Sequence, residues 1–292
     1  MTFASFLREA GFVAEDVALC LHKPGDPTAR RAMLVMAEDR PDLFEAYQST
    51  HSAIQEATVR NRPVFASFVM TAPGELTFIG LYERHEIGHL SEADIVGDAG
   101  FLEMLGRVDG QGADLTDLIR PLVGRTRFDF RPLAALSDLS KRLVVADPGG
   151  RNYVRLAETT PLPIVEIKRR ASVVPPMPPW DELTLTKAEL ATIPRDWALR
   201  LAEWCGIYLI VDEADGARYV RAAYGVDNLL GRWRAHVAGE VGVTVDLQHR
   251  RTDGFRVSIL ELVSPTALIE DVTRREQTWI RRLHTRDFGL NA

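Results

Sequence analysis

The sequence has few cysteines and no long apolar run. Cys20 and Cys205 stand far apart among 292 residues, which excludes a disulfide framework and a cysteine-based zinc cluster. We expect both to be buried small hydrophobic side chains. No stretch of about 18 apolar residues occurs, and the opening MTFASFLREAGF mixes charged with apolar residues, so we predict neither a membrane span nor a secretory signal. We therefore expect a cytoplasmic protein.

Lysine is also scarce, and charge and tryptophan are unevenly spread. Only four of the 35 basic residues are lysine, and the net charge is -6, which argues against indiscriminate nucleic-acid binding. Residues 1–100 carry 8 basic and 15 acidic residues, whereas residues 101–292 carry 27 and 26. All five tryptophans lie at or beyond Trp180, so the first half shows no recognisable aromatic pocket for an extruded base.

A proline-rich segment divides the chain. Residues 173–180, VVPPMPPW, hold four prolines in eight positions, a composition that favours an extended connector. We predict an N-terminal domain over 1–172, a linker with a short helix over 173–200, and a C-terminal domain over 201–292. Thr186 followed by Glu189 has capping-box spacing and predicts the start of that helix.

The N-terminal part predicts a mixed α/β domain. RPDLFEAYQSTHSAIQ begins with a helix-initiating proline and has apolar residues at helical spacing. VFASFVM and LTFIGLYER read as strands joined by the turn TAPGE, and KRLVVAD, NYVRLAE and PIVEIKR as further strands. We expect a curved sheet or small barrel, in an α+β protein overall.

The C-terminal part predicts a β-β-α-β-α unit with a three-stranded antiparallel sheet flanked by helices. The predicted elements are strands 206–212 and 218–223, a helix at 228–238, a strand at 255–263 and a helix at 267–284.

Tyrosines mark the first two of these strands. Because strand side chains alternate, Tyr208 shares a face with Ile210, and Tyr219 shares a face with Arg221. A turn at Asp215-Gly216 brings the two tyrosines close together.

Charged residues lie on the core-facing sides of the two helices. In the last helix Glu276 falls on the apolar stripe of Val272, Trp279, Ile280 and Leu283. A buried carboxylate needs a partner, and both a divalent cation and a buried arginine remain open. In the shorter helix Arg232 and His236 are neighbours one turn apart. An arginine, a histidine, an acid and tyrosines together indicate phosphodiester cleavage.

Residues 205–292 resemble the GIY-YIG nuclease domain. GIY at 206–208 matches the first motif of that family, and YVR at 219–221 matches the second, YIG or YVG, except at its last position. The resemblance implies that Tyr208 is the general base or the water-orienting phenol and that Tyr219 positions water and phosphate. It also implies that Arg232 stabilises phosphate charge and that His236 is the histidine found one turn later in some members.

The resemblance extends to the end of the chain. Glu276 matches the metal-binding carboxylate, which implies a Mg²⁺ cofactor that Mn²⁺ can replace, and Asn291 matches an asparagine that buttresses the site. Arg221 stands where the family has glycine. This arginine either contacts phosphate or obstructs the site.

The implied function is a metal-dependent endonuclease acting on double-stranded DNA in restriction or phage defence. The N-terminal domain would choose the target, including a modified base, and a homodimer is compatible with this role. A catalytically impaired DNA-binding protein and a DNA-repair nuclease are the alternatives.

RHEIGHL offers a rival motif. His85, Glu86 and His89 have the HExxH spacing of zinc proteases. The motif follows a strand-like run, Gly88 weakens any helix through it, and a third ligand such as Glu103 lacks support. We therefore expect a polar loop here.

Overall fold

The computed structural model describes residues 1–108, 114–224, 228–239, 247 and 250–291. The chain divides into two compact units, Met1–Pro175 and Pro176–Ala292. Unit 1 extends three residues beyond the predicted boundary because Val173 is buried in its core and donates its N–H to Glu38 Oε2 at 3.0 Å. Among the described residues, the structure has no helix of sufficient length and hydropathy to cross a membrane.

The helices of unit 1 cover its sheet. They are α1 (Phe3–Glu9), α2 (Pro27–Asp39), α3 (Pro41–Gln48), α4 (Ala53–Arg60), α5 (Glu92–Gly97), α6 (Ala99–Val108) and α7 (Leu115–Ile119). The predicted helical stretch after Arg40 is present, but it breaks between Gln48 and Ala53 into two helices. This break places His51 in a loop.

Unit 1 contains a seven-stranded mixed sheet. Its strands are β1 (Val17–His22), β2 (Val64–Ala72), β3 (Glu75–His89), β4 (Thr126–Pro132), β5 (Leu143–Ala146), β6 (Val154–Leu156) and β7 (Ile164–Ile167). The order is β6-β1-β2-β3-β5-β7, and β4 pairs with the distal part of β3. Strands β1 and β2 are parallel, and the other described pairings are antiparallel. The sheet curls into a half-barrel. Helices and strands occur together in this unit, and the predicted mixed α+β class is confirmed.

The HExxH residues form part of a strand. The predicted polar loop is wrong, because residues 85–89 continue β3 and pair with β4 across a bulge between Glu86 and Gly88. At the rise of a strand, His85 and His89 stand roughly 13 Å apart along the backbone. A zinc protease instead has the two histidines of this motif one turn apart on the same face of a helix. The described residues contain no group of three or more metal-ligating side chains, so this motif has no zinc-protease geometry.

Unit 2 is a four-stranded antiparallel sheet with helices on both faces. The strands are β8 (Thr184–Thr186), β9 (Cys205–Asp212), β10 (Arg218–Ala223) and β11 (Phe255–Val263), in the order β10-β9-β11-β8. The helices are α8 (Lys187–Ala191), α9 (Arg195–Glu203), α10 (Asn228–Ala238) and α11 (Ile269–Arg282).

The segment predicted as a linker contributes to this unit. Residues 184–186 pair with β11 as a fourth strand, and α9 buries Trp197 and Leu201 in the unit 2 core. The predictions of a three-stranded sheet and of a linker over 173–200 are therefore incomplete. The predicted capping box is present, since Thr186 Oγ1 accepts from the Glu189 N–H while the Glu189 side chain accepts from the Thr186 N–H.

The unit 2 sheet has a different core on each face. Tyr208, Ile210 and Tyr219 pack with Trp233 of α10 in one cluster. Ile207, Val220 and Ala222 pack with Val272 and Ile280 of α11 in another. The tyrosines therefore face α10, whereas α11 covers the opposite side.

Candidate active site

The paired strands bring the motif residues onto one face. Tyr208 lies directly opposite Arg221, and Ile210 lies opposite Tyr219. Tyr208 and Tyr219 are fully buried. Because cross-strand partners share a face, the two tyrosines and Arg221 belong to the same side of the sheet, which is the arrangement that strand alternation predicts.

Gly206 at the start of β9 is required by close backbone packing. A Cβ atom at this position would lie 2.4 Å from the carbonyl oxygen of Glu261. The contact occurs where β11 shifts register between Ile259 and Glu261. The first residue of the GIY motif therefore lets two strands approach closely, and no other residue fits there without displacing β11.

Helix α10 places a histidine against the tyrosines. His236 Nε2 lies 2.7 Å from the Tyr208 hydroxyl oxygen, and its ring centroid lies 5.8 Å from that of Tyr219 in an edge-on contact. Trp233, one turn earlier, is fully buried and fixes the helix against the sheet. The imidazole and the two phenols thus form one buried polar cluster.

Burial sets the protonation states of this cluster. It lowers the pKa of His236 to about 4, with further lowering from Arg232 and Arg221. Burial also raises the pKa of Tyr208 well above its usual value, aided by Tyr219 and opposed by Arg232 and Arg221. At neutral pH the imidazole is therefore uncharged and the phenol protonated, so Tyr208 can donate its proton to His236 Nε2. The two arginines alone do not turn Tyr208 into a phenolate.

Glu276 of α11 meets Arg221. The residue is 7% exposed, and its Oε1 lies 3.4 Å from Arg221 Nη1. Burial raises the pKa of Glu276, against opposing effects of Arg221 and of the Ala222 backbone. Because β10 is the outermost strand of this sheet, the Arg221 side chain reaches past the sheet edge to a helix on the opposite face. The carboxylate therefore has a half-exposed arginine beside it.

Arg232 supplies a second cation. It lies on α10 one turn before His236, and its Nε is buried without a hydrogen-bond partner among the described residues. Its charge lowers the pKa values of both Tyr208 and His236. Arg232 thus has an N–H donor that no described residue uses.

Asn291 clamps the free edge of β10. Its Oδ1 accepts from the Val220 N–H at 2.9 Å, and its Nδ2 donates to the Val220 carbonyl at 2.8 Å. Val220 is the residue between Tyr219 and Arg221, so the side chain replaces a missing neighbouring strand at the motif itself. This geometry suits the buttress that the family resemblance implies.

The sequence reasoning missed how the preceding residues take part in this edge contact. Leu290 N donates to the Arg218 carbonyl at 2.9 Å, and a Cβ at Gly289 would lie 2.6 Å from the same oxygen. The sequence feature that could have indicated this contact is Gly289, two residues before Asn291. The C-terminal segment therefore covers the strand that carries Tyr219 and Arg221.

The site offers one carboxylate for a metal ion. Mg²⁺ commonly binds through one or two carboxylates, with waters and substrate phosphates completing its shell. Glu276 is buried and lies against Arg221, so it fits such a site. The described residues do not provide a cation cage made of protein ligands alone.

Comparisons with known proteins add little. No protein-family model matches this sequence, and no curated protein matches it. A solved structure of a mutant of the catalytic domain of intron endonuclease I-TevI is similar at 26% sequence identity, with 30% of this chain and 92% of that chain covered. Its TM-score of 0.26 is too low to establish a shared fold.

Proposed function

We propose that this protein is a DNA endonuclease that hydrolyses phosphodiester bonds with one divalent cation. The observation that carries the proposal is the 2.7 Å contact between Tyr208 and His236, beside Arg232 and within the same cluster as Tyr219. A buried phenol–imidazole pair flanked by cations is suited to moving a proton next to a bound phosphate.

The proton route follows from the protonation states. A water molecule that attacks phosphorus must lose a proton, and a protonated phenol can take it only while passing its own proton on. Tyr208 can transfer its proton to the uncharged His236 Nε2 as it receives one from water. The phenol therefore ends the step neutral and the imidazole ends it charged. Tyr219 lies close enough to His236 to position the water.

The remaining groups handle negative charge. Arg232 would donate to a non-bridging phosphate oxygen, where charge accumulates as the water attacks. Glu276 would hold Mg²⁺ or Mn²⁺, which supplies positive charge for the departing oxygen. Arg221 pairs with Glu276, and its half-exposed guanidinium would contact the phosphate once a cation takes over the carboxylate.

Two observations favour a second candidate, a catalytically impaired DNA-binding protein. Arg221 already lies against Glu276 where the resembling family has glycine, and both tyrosines are buried. In that case the arginine permanently replaces the metal ion.

The biological setting that suits a two-unit nuclease is restriction or phage defence. Unit 1 would choose double-stranded DNA, including DNA with a modified base, and unit 2 would cut it, alone or in a homodimer. A DNA-repair role is the alternative setting.

Cleavage of modified and unmodified plasmid with Mg²⁺ or with EDTA tests the proposal. We expect nicking with Mg²⁺ and its loss in Glu276→Gln, which removes the ligand charge at nearly constant volume. Glu270→Gln, an exposed change on the same helix, is the matched control and should cut normally. Undiminished Mg²⁺-dependent nicking by Glu276→Gln would refute the metal assignment, and DNA binding without any cutting by the unaltered protein would favour the second candidate.

A further inference from the structure

Unit 1 contains a cavity of about 490 Å³. It lies at the end of β1, beside the loop between α3 and α4, against α6 and next to the turn before β6. This volume is within the range of small-molecule sites, which are typically about 300–1,000 Å³. The cavity is distinct from the tyrosine cluster of unit 2, and nothing in the proposed cleavage chemistry uses it.

Aromatic rings form part of the cavity wall. Tyr47 of α3, Phe101 of α6 and Tyr153 before β6 all line it. Flat aromatic side chains provide stacking surfaces for planar ligands, and stacking tolerates any base because each has a π-face. The tryptophan-free half of the chain thus builds from tyrosine and phenylalanine the aromatic pocket that its sequence does not reveal.

Two buried imidazoles add hydrogen-bonding groups to the wall. His51 is 1% exposed, its Nδ1 lies 3.4 Å from the Tyr153 hydroxyl oxygen, and its Nε2 has no partner among the described residues. Phe65, Phe128 and Phe130 surround its ring at centroid distances of 5.7, 6.0 and 6.1 Å. The ring is therefore held in place with one nitrogen unused.

Both imidazoles are uncharged at neutral pH. Burial lowers the pKa of His51 to about 3, with smaller contributions from His22 and Arg125. Burial likewise lowers the pKa of His22 to about 4, against an opposing effect of the Gln48 side chain. An uncharged imidazole can donate or accept a hydrogen bond, which suits the mixed donors and acceptors on the edge of a nucleobase.

Cations complete the lining. Lys23, Arg125 and Arg151 all contribute, and no aspartate or glutamate is among the described lining residues. Lys23 is fixed by Asp147 Oδ1 at 2.9 Å and by the Gly150 carbonyl at 3.1 Å. Arg125 and Arg151 form no salt bridge to any described residue. The described lining therefore carries positive charge without a carboxylate, which suits an anionic group.

We propose that this cavity binds one nucleotide extruded from DNA, with the base between the aromatic walls and the phosphate on Arg125 and Arg151. The inference rests on the proposed function only in taking DNA as the polymer, since the cavity chemistry itself requires just a planar base bearing a phosphate. A free mononucleotide has the same chemistry, and the experiment separates the two sources.

The test measures binding by the full-length chain carrying Glu276→Gln, without divalent cation, so that cleavage does not interfere. The probes are a paired DNA duplex, the same duplex with one base opposite an abasic site, and deoxynucleoside monophosphates with and without a group on C5 of cytosine. Extrusion costs least for an unpaired base. We expect the abasic-site duplex to bind about tenfold more tightly than the paired duplex.

Two cavity variants and one control assign this preference. Arg151→Glu reverses an exposed charge at the cavity, and Tyr153→Leu removes a stacking surface, so each should reduce the preference by about tenfold. Arg169→Glu makes the same charge change at an exposed arginine outside the cavity and should weaken both duplexes equally. Comparison with Arg169→Glu distinguishes a loss at the cavity from the general weakening of DNA binding that any lost positive charge causes.

Each outcome decides the question. Equal binding of both duplexes, or a preference unaffected by Arg151→Glu and Tyr153→Leu, overturns the proposal. Monophosphates that bind as tightly as the abasic-site duplex, and lose binding in the same variants, identify a free nucleotide as the source and overturn extrusion. If the unaltered chain cuts no DNA but the preference persists, the cavity assignment stands and only the nuclease proposal fails.

Discussion

Each of the two units packs a tyrosine against a buried histidine, and the surroundings of the two pairs differ. In unit 1 the Tyr153 hydroxyl oxygen lies 3.4 Å from His51 Nδ1, beside a cavity lined by cations. In unit 2 the Tyr208 hydroxyl oxygen lies 2.7 Å from His236 Nε2, near two arginines and the carboxylate of Glu276. Burial keeps all the imidazoles uncharged in both places.

Open space and a nearby carboxylate are the two features that distinguish these pairs. The unit 1 pair has space beside it and no acidic residue among the described lining, so it can accommodate an anionic ligand but offers no carboxylate to hold Mg²⁺. The unit 2 pair is closely packed and has a carboxylate within reach. We therefore propose recognition for the first pair and proton transfer for the second.

The strongest contrast comes from the same change made in both pairs. Tyr208→Phe removes the proton relay, so we expect the rate at saturating DNA to fall about 10²- to 10⁴-fold. Tyr153→Phe keeps the aromatic wall and removes one hydroxyl, so its effect should appear as a higher DNA concentration for half-maximal rate. Steady-state kinetics of both variants distinguish the roles, and equal losses of maximal rate would invalidate the assignment.

Acid should destabilise unit 1 more steeply than unit 2. Each buried histidine has a folded pKa below its unfolded value of about 6.5, so the unfolded state binds the proton first and stability is lost as pH falls from about 6.5 towards 4. The loss is about 1.4 kcal/mol per pH unit for each histidine, and unit 1 has His22 and His51 against His236 in unit 2. Glu45 and Glu276, one in each unit, have raised pKa values and act in the opposite sense.

The position of the tryptophans allows the stability of each unit to be measured separately. All five tryptophans lie within 176–292, so their fluorescence during urea unfolding reports on unit 2, while hydrogen exchange in β1 and β2 reports on unit 1. Between pH 6 and pH 5 we expect unit 1 to lose about twice as much stability. His51→Gln should halve the unit 1 slope, and an unchanged slope would show that other groups dominate.

Removing the edge clamp should affect unit 2 alone. Asn291→Ala deletes both hydrogen bonds to Val220 and leaves a buried backbone pair unsatisfied, which costs about 2 kcal/mol. The tryptophan-detected urea midpoint should fall, while exchange in β1 stays constant. Asn152→Ala, at an exposed position of unit 1, is the matched control and should leave that midpoint unchanged. A midpoint equally unchanged in Asn291→Ala would mean that the clamp does not stabilise β10.

The smallest effect concerns the residue that departs from the family motif. Arg221→Gly frees the Glu276 carboxylate from a half-exposed ion pair worth about 0.5–1 kcal/mol. The Mg²⁺ concentration for half-maximal cleavage should therefore fall by about two- to fivefold. A Mg²⁺ titration of both proteins measures this, and a higher Mg²⁺ requirement in the variant would show that Arg221 assists rather than competes.

Local patterns predicted much of unit 2 correctly. Strands β9, β10 and β11 and helix α10 lie within one residue of their predicted bounds, because alternation, a turn at Asp215-Gly216 and helical periodicity are all encoded within each segment. The capping box at Thr186 was equally local. Helix α11 begins two residues later and ends two residues earlier than predicted.

Elements that depend on distant partners were missed. Strand β8 has three residues and exists only because it pairs with β11, some 70 positions later in the chain. Residues 85–89 become a strand through pairing with β4, which their own sequence does not specify. The unit 1 cavity escaped prediction for the same reason, since His51 and Tyr153 are 102 positions apart.

Local sequence patterns alone specify which side chains lie near one another on an element: Tyr208 with Ile210, Tyr219 with Arg221, and Arg232 one turn from His236. These relations follow from the fixed periods of strand and helix. Long-range packing is what brings His236 to Tyr208 and Arg221 to Glu276, and it buries the imidazoles so that they stay uncharged. Protonation and partner choice depend on solvent exclusion and on atoms from remote segments, which exist only once the chain has folded.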